Sequence, residues 1–176
     1  MSKDSSLHDQ EESFGWISIA LHWFATVAII LMWFIGQSIA SLPAPEMDAR
    51  RSLHITLGLI VWLPLVARIL WRIKSRHPRV KGQSLLTHRL AKGAHYLMLV
   101  VLGILLLSGP LMAWAIPRST NVMEIAFVFH ANAAMALALL VVLHVLAALK
   151  HLMFHDDETI ARIFLPRREP GEASED

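Results

Sequence analysis

The chain carries ten histidines and no cysteine in 176 residues. Any bound metal must therefore be held by nitrogen or oxygen; disulfides, thiolate-bound iron–sulfur clusters and covalent c-type haem attachment are excluded. Two of the histidines, His130 and His144, stand fourteen residues apart in one long apolar run. On an α-helix that separation is about 21 Å of rise and within about 40° of the same face. One helix would then present two imidazoles to its neighbours, one well above the other. Imidazole is a common axial donor to haem iron, and helix bundles build cofactor sites from side chains on facing helices. A second donor at each level has to come from another helix, and His22 and His54 are the candidates.

The elements that must position these residues follow from composition. With 55% hydrophobic and 17% charged residues the chain lies outside the soluble norm. Four apolar runs, 16–40, 52–71, 90–114 and 125–150, are each long enough for a hydrocarbon core of roughly 30 Å, which needs about 20 helical residues. Ser41-Leu42-Pro43-Ala44-Pro45 stops the first helix, and Ile116-Pro117-Arg118-Ser119-Thr120-Asn121 separates the last two. The polar start, with Asp4, Asp9, Glu11 and Glu12, is the wrong flank for a cleaved signal peptide, and the first run is too long for a signal core. The expected fold is all-α: an integral membrane four-helix bundle with haems between the helices. It is divided into a polar cytoplasmic N-terminus over 1–15, a transmembrane di-haem domain over 16–150 and a cytoplasmic tail over 151–176.

Charge sets the expected orientation. Arg72, Lys74, Arg76, Arg79, Lys81, Arg89 and Lys92 follow the second run with no acid among them, and Lys150, Arg162, Arg167 and Arg168 follow the fourth. The opposite side has only Arg50, Arg51 and Arg118. The positive-inside rule then places the middle loop and both termini in the cytoplasm and the two short Pro-containing loops outside. The apolar runs make membrane lipid a partner, whereas a net charge of only +2, with the basic residues clustered in one loop rather than along a binding face, argues against nucleic acid. Trp16, Trp23, Trp71 and Trp114, near run ends, suit interfacial belts.

Depth along the bilayer decides which histidines meet. His22 and His144 each lie about six residues, roughly 9 Å, from the cytoplasmic ends of their spans. His54 and His130 share the outer level. The expected pairs are His22 with His144 and His54 with His130, and irons with both axial positions filled by protein transfer electrons rather than bind oxygen. A single intramembrane histidine is often satisfied by a neighbouring helix, but four polar rings matched in pairs are costly to bury without a partner.

Other residues are placed near these levels. Arg68, fourteen residues after His54, either binds a propionate of the inner haem or snorkels. Arg50 and Arg51 either serve the outer haem's propionates or mark the helix start. Gly58 either admits a flat macrocycle or serves an ordinary helix contact. His95 and His151 lie at the cytoplasmic level, where each either hydrogen-bonds a quinone or contacts headgroups and water. His8, His77, His88 and His155 lie in polar flanks, and the methionines suit core filling.

From about Ser18 to Arg168 the chain resembles the bacterial cytochrome b561 family. The resemblance is carried by Ala20-Leu21-His22-Trp23, by Ser52-Leu53-His54-Ile55-Thr56-Leu57-Gly58 leading to Arg68-Ile69-Leu70-Trp71-Arg72, by Ala94-His95-Tyr96, by Ser108-Gly109, by Phe129-His130 through His144 to His151, and by Leu165-Pro166-Arg167. It implies two b-type haems ligated at His22, His54, His130 and His144. It also implies exchange with the ubiquinone pool and, in some members, oxidation of superoxide at the outer face, an oxidoreductase activity of the superoxide:ubiquinone type. The polar extension before Ser13 and the acidic end after Glu169 depart from the family core and bear on partner choice.

The leading expectation is a di-haem electron carrier between an outer donor, superoxide among them, and quinone. A second is the haem anchor subunit of a membrane-bound dehydrogenase or hydrogenase. A third, of another class, is a divalent metal transporter. Zinc, however, wants donors converging on one centre, and these histidines divide between two levels with no acid inside a span.

Overall fold

The computed structural model describes residues 7–9, 14–75, 85–116 and 118–154. Among them lie four helices and no strand: α1 (Trp16–Ile39), α2 (Ala44–Lys74), α3 (Leu85–Ala115) and α4 (Thr120–Phe154). Each contains a stretch long and apolar enough to cross a membrane, and the molecule is an all-α membrane bundle of four helices.

The helices outrun the apolar runs. Helix α2 begins at Ala44 rather than at 52, because prolines at its start sacrifice no intrahelical hydrogen bond. Glu46 complements the positive end of that helix, and the Met47 N–H already reaches the Pro43 carbonyl at 2.8 Å. The proline pair that stops α1 is thus also the start of α2. At the other end Arg72 and Lys74 occupy the last turn, where cations suit the exposed carbonyls. Helix α3 starts at Leu85 rather than 90, and α4 runs to Phe154 rather than 150.

Two prolines stand inside helices, Pro64 in α2 and Pro110 in α3. Pro110 has no N–H to give to the carbonyl four residues back, Leu106. That carbonyl instead accepts the indole N–H of Trp62 from α2 at 2.8 Å. The helix break is thereby turned into a tie between neighbouring helices, as an apolar environment requires.

The core is built of small and medium residues. Ala25 and Ala28 of α1, Leu65 of α2, Val101 and Leu102 of α3, and Ala133 and Leu137 of α4 meet in the middle of the bundle. Small side chains let helix axes approach where no water drives association. Leu107 is 74% exposed and Phe34 68%, and with Leu63 and Leu139 they form the outward apolar surface that lipid covers. Packing is closest within the pairs α1/α2 and α3/α4, with α2 and α3 joining the two hairpins. Leu137 lies halfway along α4 between His130 and His144, so the packed middle separates two polar levels.

Candidate functional site

At the level nearest the α1–α2 and α3–α4 connections, α2 supplies His54 and α4 supplies His130. Their ring centroids are 6.3 Å apart with the planes at 89°. Two metal–nitrogen bonds of about 2 Å, plus the distance from each ring nitrogen to its centroid, span about 6 Å. The pair therefore has the separation that one iron between two imidazoles requires. Nδ1 of His54 is buried and has no hydrogen-bond partner among the described residues, an arrangement that costs about 1–3 kcal/mol unless something else engages the ring.

The surroundings of these two rings are shaped to them. A Cβ on Gly36 of α1 would stand 3.1 Å from Cε1 of His54, and one on Gly109 of α3 would stand 3.3 Å from Cε1 of His130. Glycine at each place lets a backbone lie against an imidazole. Ser108 of α3 donates its hydroxyl to the Ile104 carbonyl at 2.7 Å and lies 3.1 Å from Nδ1 of His130. With its own proton committed, the Ser108 oxygen accepts from Nδ1–H, which leaves Nε2 of His130 with the lone pair a metal needs.

The second level lies at the end of the bundle where α1 begins and α2 finishes. His144 of α4 stacks edge-on against His95 of α3, with centroids 5.0 Å apart, closer than a metal between two rings allows. Nδ1–H of His95 donates to the Ala91 carbonyl at 2.7 Å, so its Nε2 is the free acceptor. His22 of α1 meets Trp23 edge-on, with ring centroids 5.7 Å apart. Arg68 of α2 turns inward and donates to Nδ1 of His22 at 3.3 Å. A guanidinium has no acceptor, so the remaining proton of a neutral His22 sits on Nε2.

The remaining sequence candidates are dispersed. Arg51 is tied to its own helix, to Asp48 at 2.9 Å and to Sδ of Met47 at 3.4 Å, and Arg50 beside it is half-buried. Because α2 starts at Ala44, both lie within the helix and neither marks its beginning. Gly58 faces Met32 in an α1–α2 contact, not a histidine. His151 belongs to the last turns of α4, with its side chain outside the described residues; His77 and His155 lie outside them altogether. Trp114 stays exposed with Arg118 over its ring at 5.3 Å, as an interfacial residue would. Trp71 instead donates its indole N–H inward to Ser18 at 2.8 Å.

Sequence reasoning missed three features. Gly36 carries no local sign that it faces His54 across a helix contact. Ser108 stood in a quoted motif, but its bond to His130 depends on the rotation of α3. Asp9 looked like one acid among several in a polar flank, yet its side chain is 2% exposed and lies 3.6 Å from Arg72. Among the described residues no three His, Asp or Glu side chains converge on one point.

A family model described as prokaryotic cytochrome b561 matches residues 13–166. The chain is 28% identical over 186 aligned positions to a protein of Escherichia coli (strain K12) named Cytochrome b561 homolog 2, with 90% of this chain and 94% of that protein covered.

Proposed function

The chain belongs to the prokaryotic cytochrome b561 family, and on that premise we propose that its histidines hold two haem b groups, His54 with His130 and His22 with His144, in a membrane protein that passes electrons between an outer donor and the quinone pool. Membership makes it a multi-pass bacterial haem b electron-transfer protein; the number of haems, their ligands and the two substrates are our reading. The observation that carries it is the His54–His130 pair, 6.3 Å apart, with Ser108 orienting one ring and Nδ1 of the other unpartnered.

When bound, haem iron supplies reversible one-electron chemistry, and with two protein ligands it offers no open position to oxygen. The chain's own residues do the rest. Ser108 keeps the proton of His130 on Nδ1. At the inner level His22 would hold the iron through Nε2, with its proton on Nδ1 in place of the bond from Arg68, and the Arg68 guanidinium would then be the partner for a propionate. His95, with Nδ1–H committed to Ala91, holds and yields a proton at Nε2, next to His144. Protonated there, it donates to a quinone carbonyl, and His151 is the second candidate for that role.

With superoxide as donor the balance is two superoxide ions and two protons, with one quinone giving two molecules of oxygen and one quinol. Arg50, Arg51 and Arg118 are the cations the outer face offers to a small anion, with Arg51 already paired to Asp48. This orientation, with the middle loop and termini cytoplasmic, rests on the distribution of basic residues. The test is a reduced-minus-oxidised spectrum with a pyridine haemochrome count: two haem b per chain supports the reading, and colourless extracts from haem-replete cells end it. Anaerobic oxidised protein is expected to be reduced by added superoxide; no reduction beyond a buffer control removes superoxide as the donor.

A further inference from the structure

Residues Leu7, His8 and Asp9 fold back as a strap over the start of α1 and the end of α2. The Leu7 carbonyl accepts the Ile17 N–H at 3.3 Å, and Oδ1 of Asp9 accepts the Gly15 N–H at 2.9 Å, so the strap satisfies amides at the opening of α1. His8 stacks on Trp71 with centroids 5.5 Å apart. The backbone of the strap comes so close to Gly15 that a Cβ there would overlap Leu7 and His8. A polar terminus held this closely, against a position that only glycine can occupy, is a built contact.

Its centre is a buried ion pair. Oδ2 of Asp9 stands 3.6 Å from Nη1 of Arg72, with the two side chains 2% and 8% exposed, and Arg72 also lies over the ring of Phe14 at 5.1 Å. Oδ2 has no hydrogen-bond partner among the described residues, so this oxygen faces Arg72 through charge alone. The pair is not isolated from the histidines. Arg68 stands one turn before Arg72 on α2 and donates to Nδ1 of His22 at 3.3 Å, so the pair and the inner histidines meet along one stretch of that helix. In a medium of low polarity charge interactions extend further than in water.

We propose that Asp9 is the counter-ion of the inner histidine level, so that the N-terminal strap sets the reduction potential of the group held there. The inference rests on the ligation proposed above for His22 and His144. Reduction adds one negative charge to that group; two nearby arginines favour it, and the Asp9 carboxylate opposes it. With the strap in place the inner level is held less oxidising than its arginines alone would make it.

The test is a redox titration of the haem-loaded, full-length protein, with His144→Ala used to identify the inner haem. Asp9→Asn keeps the acceptor for the Gly15 N–H and removes only the charge. It is expected to favour reduction of the inner haem about tenfold, about 59 mV for one electron, with the outer haem unmoved. Asp9→Glu should retain the wild-type potential, and Gly15→Ala, which dislodges the strap without touching a charge, should shift the inner haem in the same direction as Asp9→Asn. Two intact haems with an unchanged inner potential in Asp9→Asn, or with both potentials moved equally, overturn this inference and leave the ligation standing. A His144→Ala protein that loses no haem overturns the ligation and this inference together.

Discussion

Ser108 on α3 stands 3.1 Å from Nδ1 of His130 on α4 while its own hydroxyl donates to the Ile104 carbonyl at 2.7 Å. With that proton committed, the hydroxyl oxygen favours the tautomer of His130 protonated on Nδ1, and the proposed ligation then falls to Nε2.

Replacing Ser108 by Ala removes that instruction without adding bulk. Loss of such an orienting partner typically weakens a metal site about 10- to 100-fold. Haem retention during dilution in detergent, followed in the visible spectrum, should fall for one haem of the pair. Retention equal to wild type for both would show that the hydroxyl does not orient a ligand.

The two levels are separated by the packed middle of the bundle, so they should fail independently. His144→Ala is expected to leave one haem per chain by pyridine haemochrome, and His54→Ala to leave the other. Loss of both haems from either single substitution would contradict separate sites.

Gly36 admits no side chain of size beside His54. Gly36→Val puts branched carbons into the place where a Cβ alone would stand 3.1 Å from the ring. Overpacking of this kind costs about 1–3 kcal/mol, and it should displace His54 and lower haem content at that level. Thermal loss of the haem absorbance, compared with wild type, measures it; an unshifted transition would mean that the ring moves aside freely.

Trp62 satisfies the Leu106 carbonyl that Pro110 leaves without its helical partner. Trp62→Phe keeps the apolar ring and abandons the carbonyl, at a cost of about 1–3 kcal/mol. The double variant with Pro110→Ala restores the N–H that Pro110 lacks and should recover part of the loss. No recovery would argue that the tie is incidental.

Orientation is open to a direct probe because the chain has no cysteine. In spheroplasts, Ser41→Cys should react with a membrane-impermeant maleimide, and Ser75→Cys should react only after lysis. The reverse pattern would invert the topology and move the His54–His130 level to the cytoplasmic side.

Much of this was legible before any coordinates. Runs of about 20 apolar residues state how many helices cross a bilayer, and a rise of about 1.5 Å per residue assigns each histidine a depth. Depth is enough to bring His54 to the level of His130, and His22 to that of His144 and His95. The helix start at Ala44 was hidden because the same two prolines read as the end of the preceding helix.

What the sequence by itself determined is therefore the axial coordinate: which residues share a level, and that imidazoles form two such levels. Rotation about each helix axis was decided only in the folded bundle, because these helices are apolar on nearly every side and local pattern does not mark the face that turns inward. That rotation sets Gly36 against His54, Ser108 against His130 and His95 against His144. The same holds for Asp9, whose pairing with Arg72 depends on a strap folding back across the end of α2. Contacts between distant segments are created by packing, and no local property of either segment encodes them.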